Sequence, residues 1–246
     1  MQVPAVCDVH DDRRRVLKLL LTLGAAGAGA VGPALWQGAA AAALTKEKRD
    51  TLQPEQVLQL LLQGNERFRS GKMQVHDYLA QKRATAEGQY PAAAILSCID
   101  SRAPAEIILD AGIGDTFNAR IAGNIADDDI LGSLEFACAA AGARLILVIG
   151  HTACGAVKGA IDGVELGHLT GLLQQIKPAV GATRYDGERS SNNAAFVDAV
   201  AATNVRRTVN RIREDSNVLA ALEKQGKIKI VGSIYHLVGG RVEVLA

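Results

Sequence analysis

Apolar and polar positions along this chain follow two rhythms. Short apolar runs at residues 92–97 and 145–149 predict strands buried on both faces, and the β-patterned segments 116–121 and 228–237 predict two more. Helical spacing fills the intervals. A helix should start near Pro54, carry Val57, Leu58, Leu60, Leu61 and Leu62, and end near Gly64. Further helices are predicted over 76–88, 105–111 with Gly112 as its stop, 130–141 behind the acidic run Asp127-Asp128-Asp129, 155–161 and 169–180. A long one over 194–213 turns Val197, Val200, Val205, Val209 and Ile212 inward, and a last one runs from Ser216 to Gly226. Gly239-Gly240 lies between two β-patterned runs and reads as a hairpin. Together these predict an α/β fold: a single domain with a central, mainly parallel sheet, an antiparallel edge strand and flanking helices. The helix at Pro54 precedes every strand, so it is expected to pack on a neighbour.

The first residues follow another pattern. Arg13-Arg14-Arg15 and Lys18 lead into a Gly- and Ala-rich apolar stretch from Leu19, which ends in the small residues Ala39 to Ala43. Residues 1–43 therefore read as an export signal of the twin-arginine type, and the protein is expected in the periplasm. Residues 44–53 read as a charged linker, and 54–246 as the one folded domain. The alternative is a membrane anchor through an uncleaved signal, because 19–44 is long enough to span a bilayer. Gly, Pro33 and Gln37 weaken that reading.

Charge then narrows the partners. The whole chain carries a formal net charge of +1 at pH 7. Removing the signal takes more basic than acidic groups and leaves the body near neutral, which argues against nucleic acid and for a small-molecule substrate. Of 4 cysteines, Cys7 lies in the signal. Cys98, Cys138 and Cys154 make a poor disulfide framework for an exported protein, and they become intelligible if two of them hold a metal. Cys138 shares a helical face with Leu131, Leu134 and Ala141 and is assigned to the core.

The candidate metal ligands stand where apolar runs stop. Cys98 follows the first run, and His151 follows Leu145 to Gly150, with Cys154 three residues on. Ligands collect at the carboxyl ends of parallel strands, so Cys98 and His151 can face one point. A helix starting at Gly155 would turn Cys154 back toward them and lower its thiol pKa. Two thiolates and one imidazole leave a fourth position open, as catalytic zinc sites do.

Cys98-x-Asp100-x-Arg102 followed by His151-x-x-Cys154-Gly155 resembles the β-class carbonic anhydrases. Gly64-Asn65-Glu-Arg-Phe68, Gly88-Gln89-Tyr-Pro91, Arg120-Ile-Ala-Gly123-Asn124 and Gly150 through Lys158 are similar to that family's pattern, in its order. The resemblance implies one zinc per chain on Cys98, His151 and Cys154, reversible hydration of carbon dioxide to bicarbonate, and a homodimer or larger assembly of dimers with the site at the subunit interface. It also implies a substrate pocket at Gln89, Phe117, Ala122 and the backbone of Gly155, for which ordinary packing is the competing account. Zinc lowers the pKa of a bound water from 15.7 to roughly 7, although two thiolates cancel part of its charge. Asp100, held by Arg102, can then orient the attacking hydroxide; released, it can fill the fourth metal position in a closed state. His76, His168 and His236 carry no assigned role, and the family more often shows Asp where this chain has His236.

Two other functions use the same residues. One is hydrolysis of carbonyl sulfide or carbon disulfide on this fold. The other is a non-catalytic zinc-binding envelope protein, which would have no need of Asp100 or Arg102, and both are present.

Overall fold

A computed structural model describes residues 43–245, so the predicted export signal lies almost wholly outside the described residues. In chain order the elements are α1 Lys46–Thr51, α2 Pro54–Arg69, α3 Tyr78–Ala84, β1 Ala93–Ser97, α4 Ala105–Ile108, β2 Thr116–Arg120 and the tight turn Ala122–Asn124. Next come α5 Asp128–Glu135, β3 Leu145–His151, α6 Gly155–Asp162, α7 Gly167–Ala182, α8 Ala194–Asp215, α9 Asn217–Lys224, β4 Lys229–Tyr235 and β5 Val242–Val244. The five strands lie in the order β2-β1-β3-β4-β5. All neighbours run parallel except β4 and β5, which form the antiparallel edge that the Gly-Gly hairpin predicted.

Both faces of the sheet are covered, which explains why the central strands read as continuous apolar runs. Every residue of β1 and β3 is buried. On one face Leu96, Ile146, Val148 and Ile230 meet Val157 of α6, Ile176 of α7, Val205 and Ile212 of α8 and Leu219 of α9. On the other, Ile95, Leu145, Leu147 and Val231 meet Val57, Leu58 and Leu61 of α2 and Ile108 of α4. The helix at Pro54 thus rests on its own sheet, contrary to the expectation of a neighbour: the chain returns to lay strands beneath it.

Local differences from the sequence reading have physical causes. The segment expected as a linker contains α1, whose first turn is capped by the Thr45 hydroxyl accepting from Lys48 N at 3.3 Å. It is docked through Arg49, which is buried and donates to the Ala141 carbonyl. Gly64 does not end α2, which continues to Arg69. A Cβ at Gly64 would fall 1.9 Å from the Leu109 carbonyl oxygen, so this glycine is a contact point with the turn after α4 and not a stop. The helix predicted over 130–141 changes pitch at Phe136, where Phe136–Ala140 forms a π turn. Cys138 in that turn is buried, and burial pushes its thiol up to about 12, in keeping with an inert core residue.

Helix α8 approaches the sheet closely where β3 nears its end. A Cβ on Gly150 would lie 2.5 Å from Val205 Cγ2 and 3.0 Å from Ile234 Cδ1. Gly150→Ala should therefore overpack this layer and lower stability in denaturant unfolding by about 1–3 kcal/mol. Adding Val205→Ala should recover part of the loss.

Candidate metal centre

The parallel register brings the predicted ligands to one edge of the sheet. Ser97 stands opposite Ile149, so Cys98 and His151 leave neighbouring strands at nearly the same level. Cys154 is the N-cap of α6. The sulfurs of Cys98 and Cys154 and a ring nitrogen of His151 all lie within 4.8 Å of one another, and all three residues are buried.

The histidine is oriented for a ligand. His151 Nδ1 lies 2.9 Å from the Thr152 carbonyl oxygen, which only accepts, so Nδ1 carries the proton and Nε2 presents a lone pair. Nε2 is buried with no hydrogen-bond partner. An orphaned imidazole nitrogen beside two thiol sulfurs is the donor set a thiophilic metal would complete, and the residues fit zinc.

Proton sharing shapes the pair of thiols. The Cys98 thiol is drawn down to about 4, chiefly by its contact with Cys154, and the Gly123 N–H donates to its sulfur at 3.3 Å. The Cys154 thiol is pushed up, first by Cys98 and then by burial. The N–H groups of Ala156 and Val157 do pull it down as the helix N-terminus was expected to, but the neighbouring Cys98 outweighs them. A metal held by Cys98, His151 and Cys154 would take the place of that remaining proton.

Asp100 and Arg102 form a paired clamp at the mouth. Arg102 Nε and its backbone N both donate to Asp100 Oδ1 at 2.9 Å, and Nη2 donates to Oδ2 at 2.8 Å. Hydrogen bonding to Arg102 holds the Asp100 carboxyl well below the usual carboxylate range, against the opposing effect of burial. Oδ2 lies 3.7 Å from His151 Nε2, beside the three-ligand cluster but not within it. Beneath the clamp, Arg120 donates to the carbonyls of Cys98 at 2.9 Å and Asp100 at 2.6 Å.

These geometries meet an independent finding. A family model described as Carbonic anhydrase matches residues 93–242, more than half of the chain. The chain belongs to the β-carbonic anhydrase family. It is 37% identical over 187 residues to Carbonic anhydrase 2 of Mycobacterium tuberculosis, covering 74% of this chain and 87% of that protein. It is 36% identical over 186 residues to a carbonic anhydrase of Mycolicibacterium smegmatis, covering 75% and 89%. The crystal structure of a β-carbonic anhydrase from Aspergillus fumigatus superposes with a TM-score of 0.58 at 27% identity, over 66% of this chain and 79% of that one.

The four predicted pocket positions divide into two groups. Ala122, in the turn whose Gly123 meets Cys98, and Gly155, the first residue of α6, adjoin the cluster. Gln89 and Phe117 do not. Phe117 stands opposite Ala94 on β1, four residues short of Cys98, hence about 13 Å away along the strand. It packs instead against Phe136, ring centroids 6.0 Å apart. Gln89 is exposed and lies beyond the opposite end of β1. Within one chain the strand lengths separate these two side chains from the cluster.

Reading the sequence missed the groups that support the ligands. Asp198 Oδ1 on α8 accepts from Ala153 N at 2.8 Å, inside the His151–Cys154 loop. Asn204, also on α8, donates to the Gly123 carbonyl at 2.7 Å. Both are polar positions in an amphipathic helix, where nothing distinguishes them from solvated residues until the helix is docked. His236 pairs with Glu243 at 2.9 Å, and His76 with Asp110 at 3.1 Å.

Proposed function

We propose that this member of the carbonic anhydrase family catalyses the reversible hydration of carbon dioxide to bicarbonate on a zinc ion held by Cys98, His151 and Cys154. The observation that carries the reading is the buried three-donor cluster with its unpartnered Nε2, set beside a carboxylate already clamped by an arginine. Zinc bound there would act as a Lewis acid, bringing the pKa of a water from 15.7 to roughly 7.

The chain's own groups then do the positioning. Asp100 is ionised at any pH near neutrality, so it can only accept a hydrogen bond. Both lone-pair directions on Oδ1 are used by Arg102, while Oδ2 accepts one bond from it and faces the cluster. Oδ2 is thus the acceptor for the hydrogen of the attacking oxygen, and it leaves that oxygen's lone pair directed at the substrate carbon. With the clamp formed, Asp100 stays out of the metal's fourth position. Arg102, exposed at the mouth, is also placed to attract the bicarbonate anion.

The rest of the reading concerns assembly and place. Ala122 and Gly155 line the site from its own chain, and a second copy in a homodimer or a larger assembly of dimers would supply Gln89 and Phe117. Exposed Val75, Tyr78 and Leu79 at α3 offer apolar surface for such a contact. The protein is exported to the periplasm by the twin-arginine route. Among the described residues no helix is long and apolar enough to cross a membrane.

Metal content, kinetics, assembly and export each test this reading. Metal analysis of the purified protein should find one zinc per chain, lost in Cys98→Ser and His151→Ala and kept in Cys138→Ser; stopped-flow hydration should rise with pH between about 6.5 and 9 as water near the metal ionises. Asp100→Asn and Arg102→Ala should keep zinc and lose roughly 10²–10³ in kcat. For Arg102→Ala the loss should hold at every pH: the freed carboxyl rises only toward its usual value of about 3.9 and stays ionised throughout. Consumption of carbonyl sulfide in place of carbon dioxide would select the sulfur hydrolase, and full zinc with neither activity the binding protein. Sedimentation at micromolar concentration should show a dimer or larger species. Arg13→Lys with Arg14→Lys should retain the precursor in the cytoplasm, and undiminished periplasmic activity would refute that route.

A further inference from the structure

The loop that carries two of the three candidate ligands holds one residue in a conformation its side chain opposes. Ala153, between His151 and Cys154, has φ +53. Glycine adopts this region freely and alanine does not. Its neighbours are secured from the sheet: Thr152 N donates to the Tyr235 carbonyl at 3.1 Å, and the Thr152 hydroxyl accepts from Leu237 N at 3.0 Å. Cys154 is secured by the start of α6. The middle of the loop is held from a different element, by the Asp198 carboxylate on α8, which accepts the Ala153 N–H at 2.8 Å.

We infer that Asp198 is a positioning residue for the metal centre: by holding the Ala153 peptide it keeps the loop in the left-handed turn that brings the Cys154 sulfur back to His151 and Cys98. The inference rests on the metal reading above and adds a residue to it. A straight continuation of β3 would carry residue 154 away from the sheet edge, because successive extended residues advance by about 3.3 Å each. One left-handed residue reverses the path within the span of His151 to Cys154. A side chain that bonds the N–H of that residue favours the turn over relaxed alternatives, and α8 is anchored to the sheet by Val205, so the acceptor is fixed in place. What the loop needs from Asp198 is an acceptor oxygen and not a charge.

Zinc affinity of the purified protein, measured by competition with a chromophoric chelator, reads this directly, and the thiolate-to-metal absorption of the Co²⁺-substituted protein reads the ligand geometry. Asp198→Ala should weaken zinc binding about 10–100-fold and alter the cobalt band. Asp198→Asn, which keeps the acceptor, should stay within a few-fold of wild type. Ala153→Gly should recover most of the affinity of Asp198→Ala, because glycine occupies φ +53 without help; a residue needed only for general stability would give no such selective rescue. Wild-type affinity in Asp198→Ala, or a double variant as weak as Asp198→Ala, overturns the inference. If Asp198→Ala does not fold, Asp198→Asn is compared with wild type, and the Ala153→Gly/Asp198→Ala variant with Ala153→Gly alone. A tenfold loss in either comparison overturns it, and retained affinity in both supports it. A wild-type protein that binds no zinc overturns the metal reading itself, a result separable from each of these.

Discussion

The parallel pairing of β1 with β3 is the constraint on which the site depends. With Ser97 opposite Ile149, Cys98 and His151 leave adjacent strands, and strand spacing alone brings a thiol and an imidazole within reach of one ion. A slip of one residue would turn Cys98 to the other face of the sheet. The register is protected by what lies on each side: Ile95 and Leu147 face α2 while Leu96 and Val148 face α8, so a slipped strand would misplace both layers. The connections at the strand ends then refine a placement already made. Arg120 binds the carbonyls after β1, and Asn204 fixes the turn whose N–H meets Cys98.

Two acidic groups a few ångströms apart are treated in opposite ways. Asp100 is mostly buried but gripped by an exposed guanidinium, so its proton is gone at any pH near neutrality. The thiols are sealed from water and have chiefly each other for partners, so one of their two protons is retained. The difference follows from the available donors and not from the acids themselves. A buried thiol without an outside cation keeps its proton until one arrives, which suits the pair to a metal cation and leaves Asp100 free for another task.

The fold class and the donor set were legible because both depend on short local signals. Unbroken apolar runs report strands covered on both faces, and residues that stop such runs report the sheet edge where chemistry collects. Cys98, His151 and Cys154 stand at such stops. Legibility ended where the meaning of a residue depends on what later docks against it. Gly64 carries the chemical signal of a helix end, yet it is a mid-helix contact for the Leu109 carbonyl, 45 residues on. The segment from Lys46 to Thr51 has the composition of a linker, and Arg49 becomes a buried anchor only because the Ala141 carbonyl is there to receive it. Asp198 and Asn204 look like the solvated face of a helix. Gln89 and Phe117 are a different case: within one chain they stand at the far end of the strands, so a pocket role for them depends on a second copy, which no pattern along one chain can place.

The strand order also sets the sequence of events by which the protein forms. Neighbouring strands β1 and β3 are separated along the chain by α4, β2 and α5, and β3 is separated from β4 by four helices. Contacts of this kind close late, because long loops must be ordered before any pairing rewards them. In the unfolded chain only His151 and Cys154 are near each other, a two-donor fragment that holds an ion weakly. The third donor arrives when β1 docks beside β3. An ion bound to that fragment alone would be a poor nucleus for this chain, and a metal held at the finished site would close a scaffold that the apolar layers build.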